Sequence, residues 1–348
     1  MKDELRKTGM LVVHYDTSDD RQRILRILER SGFRIPRTVR AAVVTRFYPH
    51  RTCLICADLI RKSVANSPQP FICAAMVSSG VRLYTVSELE RMAELGFECL
   101  PRYPVFHVPH DGNVFPEDLM ADVIIPAGDF MAYHEAMRDR HVRELIPRPY
   151  VGQMLKTFEV SRLLCDVERL IGPGEIMERV GMGFCYEKAY DGTVIKRVTE
   201  RTRAAARVYY DRHHREIDAM CERHPRMLFF DMHSYTDAIV PAFARVPGRP
   251  TPDLCVGTDP RFTPPQLTEI VLRRFREAGF RTAVNEPYSG VYVPESVMDG
   301  SGGCDFAGIM LEFDRRVYCG GDGEPDRQQV ERIRQIIRAV MADCVDLE

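Results

Sequence analysis

Three short apolar runs each deliver a side chain that is costly to bury. Met227 to Phe230 lead into Asp231-Met-His233-Ser234-Tyr235, and with one residue between them Asp231 and His233 point to the same side of an extended chain. Tyr103-Pro-Val-Phe-His107-Val leads into Pro109-His110-Asp111-Gly112, and Ile309-Met-Leu311-Glu312-Phe313 carries a carboxylate inside a buried-type strand. Open α/β sheets bind ligands at the carboxyl ends of their strands, where His110 and His233 would stand. Two histidines, one acidic ligand and a further free glutamate are the parts of a hydrolytic zinc site. Three protein ligands leave a position for a water whose pKa the metal lowers toward about 7. Glu312, its own pKa raised by burial, would take the proton and pass it to the leaving amine. For any one of these histidines alone, a structural hydrogen bond at a strand end is the competing account. Their convergence favours the metal.

The elements that must position these groups alternate between strand and helix. Strands are expected at Met10 to Tyr15, Val39 to Phe47, Tyr103 to Val108, Val160 to Leu164, Met227 to Tyr235, the run ending at Gly257, Thr282 to Asn285 and Ile309 to Phe313. Helices are expected at Asp19 to Ser31, Thr52 to Ala65, Ser87 to Leu95, Ala132 to Leu145, Val198 to Arg223, Pro265 to Ala278 and Gln328 to Cys344. Asp139 falls inside the fourth of these helices. Asp166 and Glu168 follow the Val160 strand, and extended geometry would put both on one face. The alternation predicts an α/β three-layer sandwich with a mixed, largely parallel sheet, plus a small N-terminal α/β unit. Residues 1–102 form that unit, of unknown role, and 103–348 the second domain.

The composition, 348 residues with 45% hydrophobic and 28% charged, is ordinary for a globular chain. A formal charge of -2 gives no argument for nucleic acid or an anionic membrane, although the first 103 residues are basic and the remainder acidic. Eleven cysteines without a secretory pattern point to reduced thiols in a cytoplasmic protein, and no window has the length of a membrane span. His50, Cys53, Cys56 and Cys73 offer ligands at plausible zinc spacing, weighed against cysteines packed as small hydrophobes on one helix.

From Tyr103 onward the chain resembles the N-formylglutamate amidohydrolases, relatives of the zinc carboxypeptidases and aspartoacylases. Val108-Pro-His110-Asp-Gly112 is similar to that family's Val-Pro-His-Ser-Gly, and Asp139-Arg-His-Val-Arg-Glu-Leu145 to its Asp-x-x-Val-x-x-Leu. Ser161-Arg162-x-x-x-Asp166-Val-Glu168-Arg169 resembles Ser-Arg-x-x-x-Asp-x-Asn-Arg, and Asp231-Met-His233-Ser234 resembles Asp-x-His-Ser. Asn285-x-Pro-Tyr288-x-Gly290-x-Tyr292 is similar to Asn-x-Pro-Tyr-x-Gly-Gly-Tyr, and Leu311-Glu312-Phe-Asp-Arg315-x-x-Tyr318 to Gln-x-Glu-x-x-Arg-x-Leu-Tyr.

The resemblance implies a cytoplasmic amidohydrolase of amino-acid catabolism with one zinc ion per chain. It implies His110, Asp139 and His233 as ligands, Asp231 behind His233, and Glu312 as general acid/base. Arg162 would stabilise the oxyanion, and Arg169, Asp166, Tyr288, Tyr292 and Arg315 would bind or orient a small N-acyl amino acid, N-formyl-L-glutamate by default. Asn113, three residues after His110, is a poor ligand. Two departures matter. Val291 stands where the family has a second glycine, and Glu168 stands where it has asparagine. A carboxylate in a pocket for an anionic substrate repels it, so a carboxypeptidase or deacylase acting on another substrate is the alternative. A catalytically inactive binding or regulatory protein is the third reading.

Overall fold

The computed structural model describes residues 10–14, 18–31, 45–47, 50–56, 83–96, 101–147, 154–172, 174–240 and 250–347. They divide into two compact units. The first comprises Met1–Tyr103 with Ile146–Met154 and Arg334–Glu348; the second comprises Pro104–Leu145 and Leu155–Ile333.

In the first unit, strands β1 (Met10–His14), β2 (Thr45–Phe47), β3 (His50–Cys56) and β4 (Leu83–Tyr84) form a sheet in the order β2-β3-β1-β4. Helix α1 (Ser18–Arg30) turns Ile24, Leu25 and Leu28 inward, three positions on one helical face. Helix α2 (Val86–Glu94) starts at a capping box: the Thr85 hydroxyl accepts the Glu88 N–H, and the Glu88 carboxylate accepts the Thr85 N–H at 2.8 Å. The helix expected from Thr52 is a strand up to Cys56, paired antiparallel with β1 from Met10↔Cys56 to His14↔Thr52. A short apolar run does not declare its period, and here pairing with a neighbour decides it. Of the strand expected at 39–47, residues 45–47 are strand and the rest lie outside the described residues. Cys73 and the side chains of His50, Cys53 and Cys56 also lie outside them.

The second unit carries a six-stranded mixed sheet with strand order β6-β5-β7-β10-β8-β9, flanked by helices. The strands are β5 (Tyr103–Val108), β6 (Leu155–Thr157), β7 (Arg226–Tyr235), β8 (Leu254–Gly257), β9 (Thr282–Val284) and β10 (Asp305–Asp314). β7 and β10 run parallel in unbroken register from Asp305↔Arg226 to Asp314↔Tyr235, while β8 is antiparallel to β10. Every residue of β5 and nearly all of β7 and β10 are buried, as expected of strands covered on both faces. Phe106 stacks on Phe230 with centroids 5.0 Å apart, bonding the centre of the sheet.

The helices of this unit are α3 (Glu117–Met120), α4 (Ala127–Met137), α5 (Glu200–Arg223), α6 (Pro265–Glu277) and α7 (Glu295–Met298); α8 (Arg327–Asp343) belongs to it as far as Ile333. On α5, Thr202, Ala206, His213, Ile217 and Met220 form the buried face, so the 3.6-residue period aims His213 at the sheet. No helix among the described residues is long and apolar enough to cross a membrane.

Two local expectations change. The helix expected to run through Asp139 ends at Met137, with Arg138 already extended and His141 at φ 64°. Asp139 is therefore held by a turn, its N–H bonded to the His110 carbonyl at 2.9 Å. The strand expected at 160–164 is a single bridge, Val114↔Val160, followed by a turn. Asp166 and Glu168 come together through that turn, where Asp166 Oδ1 accepts the Glu168 N–H at 3.1 Å, as short polar side chains do in turns.

Glycine matters at close backbone approaches. A Cβ on Gly112 would sit 2.6 Å from the Glu159 carbonyl, so this residue permits a crossing of two chain segments. A Cβ on Gly257 would sit 2.2 Å from the Gly290 carbonyl oxygen and 2.4 Å from Met310 Cε. Gly257→Ala should therefore push the 285–292 loop off β8 and lower stability by about 1–3 kcal/mol. The midpoint of urea unfolding measures this; an unchanged midpoint would mean the loop yields freely.

Candidate metal centre and active site

The parallel register of β7 and β10 sets His233 directly beside Glu312. His110 arrives from the end of β5, and its ring centroid lies 5.1 Å from that of His233. All three are buried, at 3%, 4% and 7% exposure for His110, His233 and Glu312. Carboxylates border both rings on both edges. Asp139 Oδ2 is 3.1 Å from His233 Nδ1 and 3.7 Å from His110 Nδ1. Glu168 Oε1 is 3.2 Å from His233 Nε2, and Glu168 Oε2 is 3.6 Å from His110 Nε2. Asp166 Oδ1 bonds His110 Nε2 at 2.9 Å. Asp139 is itself fixed, accepting the Ser234 N–H at 3.2 Å.

These charges set the protonation of the centre. Burial pushes the Glu312 carboxyl up to about 8, with Asp139 adding to the push and His233 opposing it. Burial also works against ionised Asp139, but the neighbouring His110 and His233 rings, with Arg162, hold it far below the usual carboxylate range. For His233, burial favours the neutral ring, yet Glu168 and Asp231 raise it well above the ordinary value. His110 is raised too: Asp166 and Glu168 prevail over burial and Arg162.

Several buried atoms of the cluster have no hydrogen-bond partner: His110 Nδ1, His233 Nε2, Glu168 Oε1 and the Nε of Arg162 and Arg169. Unmade bonds at buried polar atoms are expensive. His233 Nε2 and Glu168 Oε1 are 3.2 Å apart without being aligned for a hydrogen bond. Closeness without alignment is how ligand atoms around a shared cation are disposed. One ligand atom from each of His110, Glu168 and His233 lies within 4.8 Å of the others, and the same holds for His107, Glu168 and Asp231. The buried His/Glu/His group fits a divalent ion in donor chemistry, nitrogen and carboxylate oxygen, and in its orphaned atoms.

The remaining expected residues surround this centre in different ways. Arg162 reaches Asp139 Oδ1 at 3.4 Å, Asp166 Oδ2 at 3.1 Å and the Tyr186 hydroxyl at 3.3 Å. Tyr186 in turn donates to Asp166 Oδ2 at 2.8 Å, and Arg169 Nε stands 3.8 Å from the same oxygen. Tyr288 packs edge-on against Tyr235 and lies near enough to Glu312 for the carboxylate to reinforce the effect of burial on its phenol. Tyr292 gives its N–H to Asp231 Oδ2 at 2.9 Å, and its hydroxyl meets His214 Nδ1 at 2.9 Å. Arg315 bonds Ser234 Oγ and the carbonyls of Glu135, Ala136 and Arg138. It braces the turn that carries Asp139. Asn113 faces away, toward His134 Nε2 at 3.1 Å.

His107, His213 and Tyr186 also border the centre, and none of them stood out in the sequence. His107 Nδ1 is 2.9 Å from Asp231 Oδ1 and its Nε2 is 2.9 Å from His213 Nε2. The available signal was the helical period of α5, which puts His213 on the buried face.

Comparison with known proteins bears on the whole of this region. A family model described as N-formylglutamate amidohydrolase matches residues 104–319. A crystal structure of N-formylglutamate amidohydrolase from Ralstonia eutropha JMP134 is similar in fold, with a TM-score of 0.57 and 20% identity over 71% of this chain and 94% of that one. The structure of a gene product of Agrobacterium tumefaciens has a TM-score of 0.46 and 16% identity over 71% and 91% of the two chains. No curated protein matches the chain.

Proposed function

The chain belongs to the N-formylglutamate amidohydrolase family, and from that premise we propose that it is a zinc-dependent amidohydrolase of N-acyl amino acids, with N-formyl-L-glutamate as the default substrate. The observation that carries this reading is the buried convergence of His110, His233 and carboxylates, with orphaned atoms, beside Glu312. His110, His233 and Asp139 would hold the ion, Asp139 facing the Nδ1 edge of both rings. A divalent ion in such a site makes a water nucleophilic near neutral pH and polarises the scissile carbonyl.

Glu312 would take the proton of the attacking water and return it to the leaving nitrogen; ten residue pairs between β10 and β7 fix its position beside His233. Arg162, anchored on Asp139 and Asp166, would meet the developing oxyanion, and Arg169 the substrate carboxylate. Tyr288 and Tyr292 would wall the substrate side, and Arg315 supports the reaction through the Asp139 turn. Neighbouring carboxylates raise the pKa of both histidines in the metal-free protein, so zinc would compete with protons at these rings. Affinity should fall as pH drops below neutrality. Calorimetric titration in buffers of different ionisation enthalpy should show protons released on binding; a binding heat independent of buffer would contradict it.

The central experiment is hydrolysis of a panel of N-acyl amino acids by the zinc-loaded protein. Turnover of N-formyl-L-glutamate or a neighbouring N-acyl amino acid, abolished by chelation and restored by zinc, is the expected result. No turnover of any member by zinc-replete protein overturns the reading. Glu168 favours a second one, a less acidic acyl substrate. Were it a bare carboxylate facing substrate, Glu168→Asn would raise kcat/KM for N-formyl-L-glutamate several-fold. No gain assigns Glu168 to the metal side instead.

A further inference from the structure

Across the His233 ring from Asp139, His233 Nε2 and Glu168 also face ligand atoms of His107 and Asp231 that the mechanism above leaves unused. His107 Nδ1 is 2.9 Å from Asp231 Oδ1 and 3.7 Å from Glu168 Oε1, and His233 Nε2 is 3.2 Å from each of those two oxygens. The four atoms make a closed ring. Ligands at about 2.0–2.2 Å from a tetrahedral cation stand roughly 3.3–3.6 Å apart, within the spread of these edges. Two of the four, His233 Nε2 and Glu168 Oε1, are buried without any hydrogen bond.

We propose that His107, Glu168 and Asp231 form a second divalent-cation position, so that the centre is dinuclear. The surroundings of the three residues support it. A histidine that binds metal through one nitrogen is usually oriented by a hydrogen bond at the other, and His107 Nε2 meets His213 Nε2 at 2.9 Å. The ligating carboxylate is usually held as well, and Asp231 Oδ2 accepts the Tyr292 N–H at 2.9 Å. His107 and Asp231 are almost wholly buried, at 0% and 2% exposure, where two carboxylates side by side are stable only if offset by positive charge. Arg162 and Arg169 are directed at Asp139 and Asp166, which leaves the His233 ring, beside His107, facing both carboxylates. The donor set, one imidazole and two carboxylates with a second imidazole nitrogen facing the same point, suits Zn2+ or Mn2+. Glu168 is decisive here, because an asparagine at this position would remove both the charge and the anionic ligand. The inference rests on the preceding reading for His233 and Glu168, which border both positions.

The test is metal stoichiometry. Chelator-stripped full-length protein is titrated with Zn2+ by calorimetry, and bound zinc is counted by mass spectrometry after desalting. Wild type should bind two equivalents, and His107→Ala, Glu168→Asn and His110→Ala one each. Substituting Co2+ should give an exchange-coupled electron paramagnetic signal in wild type that Glu168→Asn uncouples. One equivalent in wild type, retained in Glu168→Asn and lost in His110→Ala, overturns the second position and leaves the hydrolase reading intact. One equivalent retained in His110→Ala and lost in Glu168→Asn supports this position while removing the first. No zinc in wild type removes both. Should His107→Ala fail to fold, as judged by circular dichroism, the partly exposed Glu168→Asn carries the same test.

Discussion

His110→Ala should lower kcat/KM by about 10³-fold or more while the protein stays folded. The loss follows from taking one imidazole out of a set of three ligands. A three-ligand site that keeps two holds its cation weakly, and the activated water goes with it. A 10³-fold loss corresponds to about 4 kcal/mol of transition-state stabilisation, within what a Lewis acid supplies. His110 is also packed against Asp166 and Asp139, so its removal leaves two buried carboxylates to Arg162, Arg169 and His233. Circular dichroism and bound zinc must therefore be read with the kinetics. Full activity in folded His110→Ala would take this histidine out of the centre altogether.

Glu312→Gln isolates proton transfer from metal binding. It should lower kcat by about 10²–10⁴-fold with zinc stoichiometry unchanged, since the side chain stands beside the ligand set rather than in it. The same variant has a thermodynamic signature in chelated protein. The folded-state pKa of Glu312 is raised to about 8 from an ordinary 4.5, mainly by burial. Below the ordinary value the carboxyl is protonated in both folded and unfolded chains, and nothing is lost. As pH rises from there through about 8, the unfolded chain releases a proton that the folded one retains, so stability falls across that window. Glutamine has no proton to retain. Wild type should therefore lose urea resistance between pH 5 and pH 8.5 relative to Glu312→Gln, as about that interval spans the titration. Parallel curves for the two proteins would show that Glu312 is ionised without metal.

Much of the sheet and the two histidines could be read from residue types, because β5, β7 and β10 are near-continuous apolar runs interrupted only by groups with chemistry. The same runs located Glu312. Reading failed where the backbone is neither helix nor strand. Asp139 was placed in a helix, yet the chain turns extended at Arg138 and presents it from a loop. Asp166 and Glu168 were paired by an argument from extended geometry, and they are in fact paired by a hydrogen-bonded turn. Glu168 was noticed as a departure, but its position between His233 and His107 depends on three segments meeting, which one segment cannot announce. In the N-terminal unit, the strand β3 owes its conformation to β1, some forty residues away in sequence, so local propensity had little to say.

The parallel pairing of β7 with β10 also governs when the centre can exist during folding. Glu312 and His233 are neighbours only in the observed register, and a slip of one residue would send Glu312 to the opposite face of the sheet. Parallel strands so distant in sequence pair slowly, because the intervening chain must be gathered before any contact rewards it. A metal ion at the proposed site would therefore not nucleate this fold as zinc nucleates a zinc finger. It would only recognise, and by mass action retain, a molecule whose central strands have already closed.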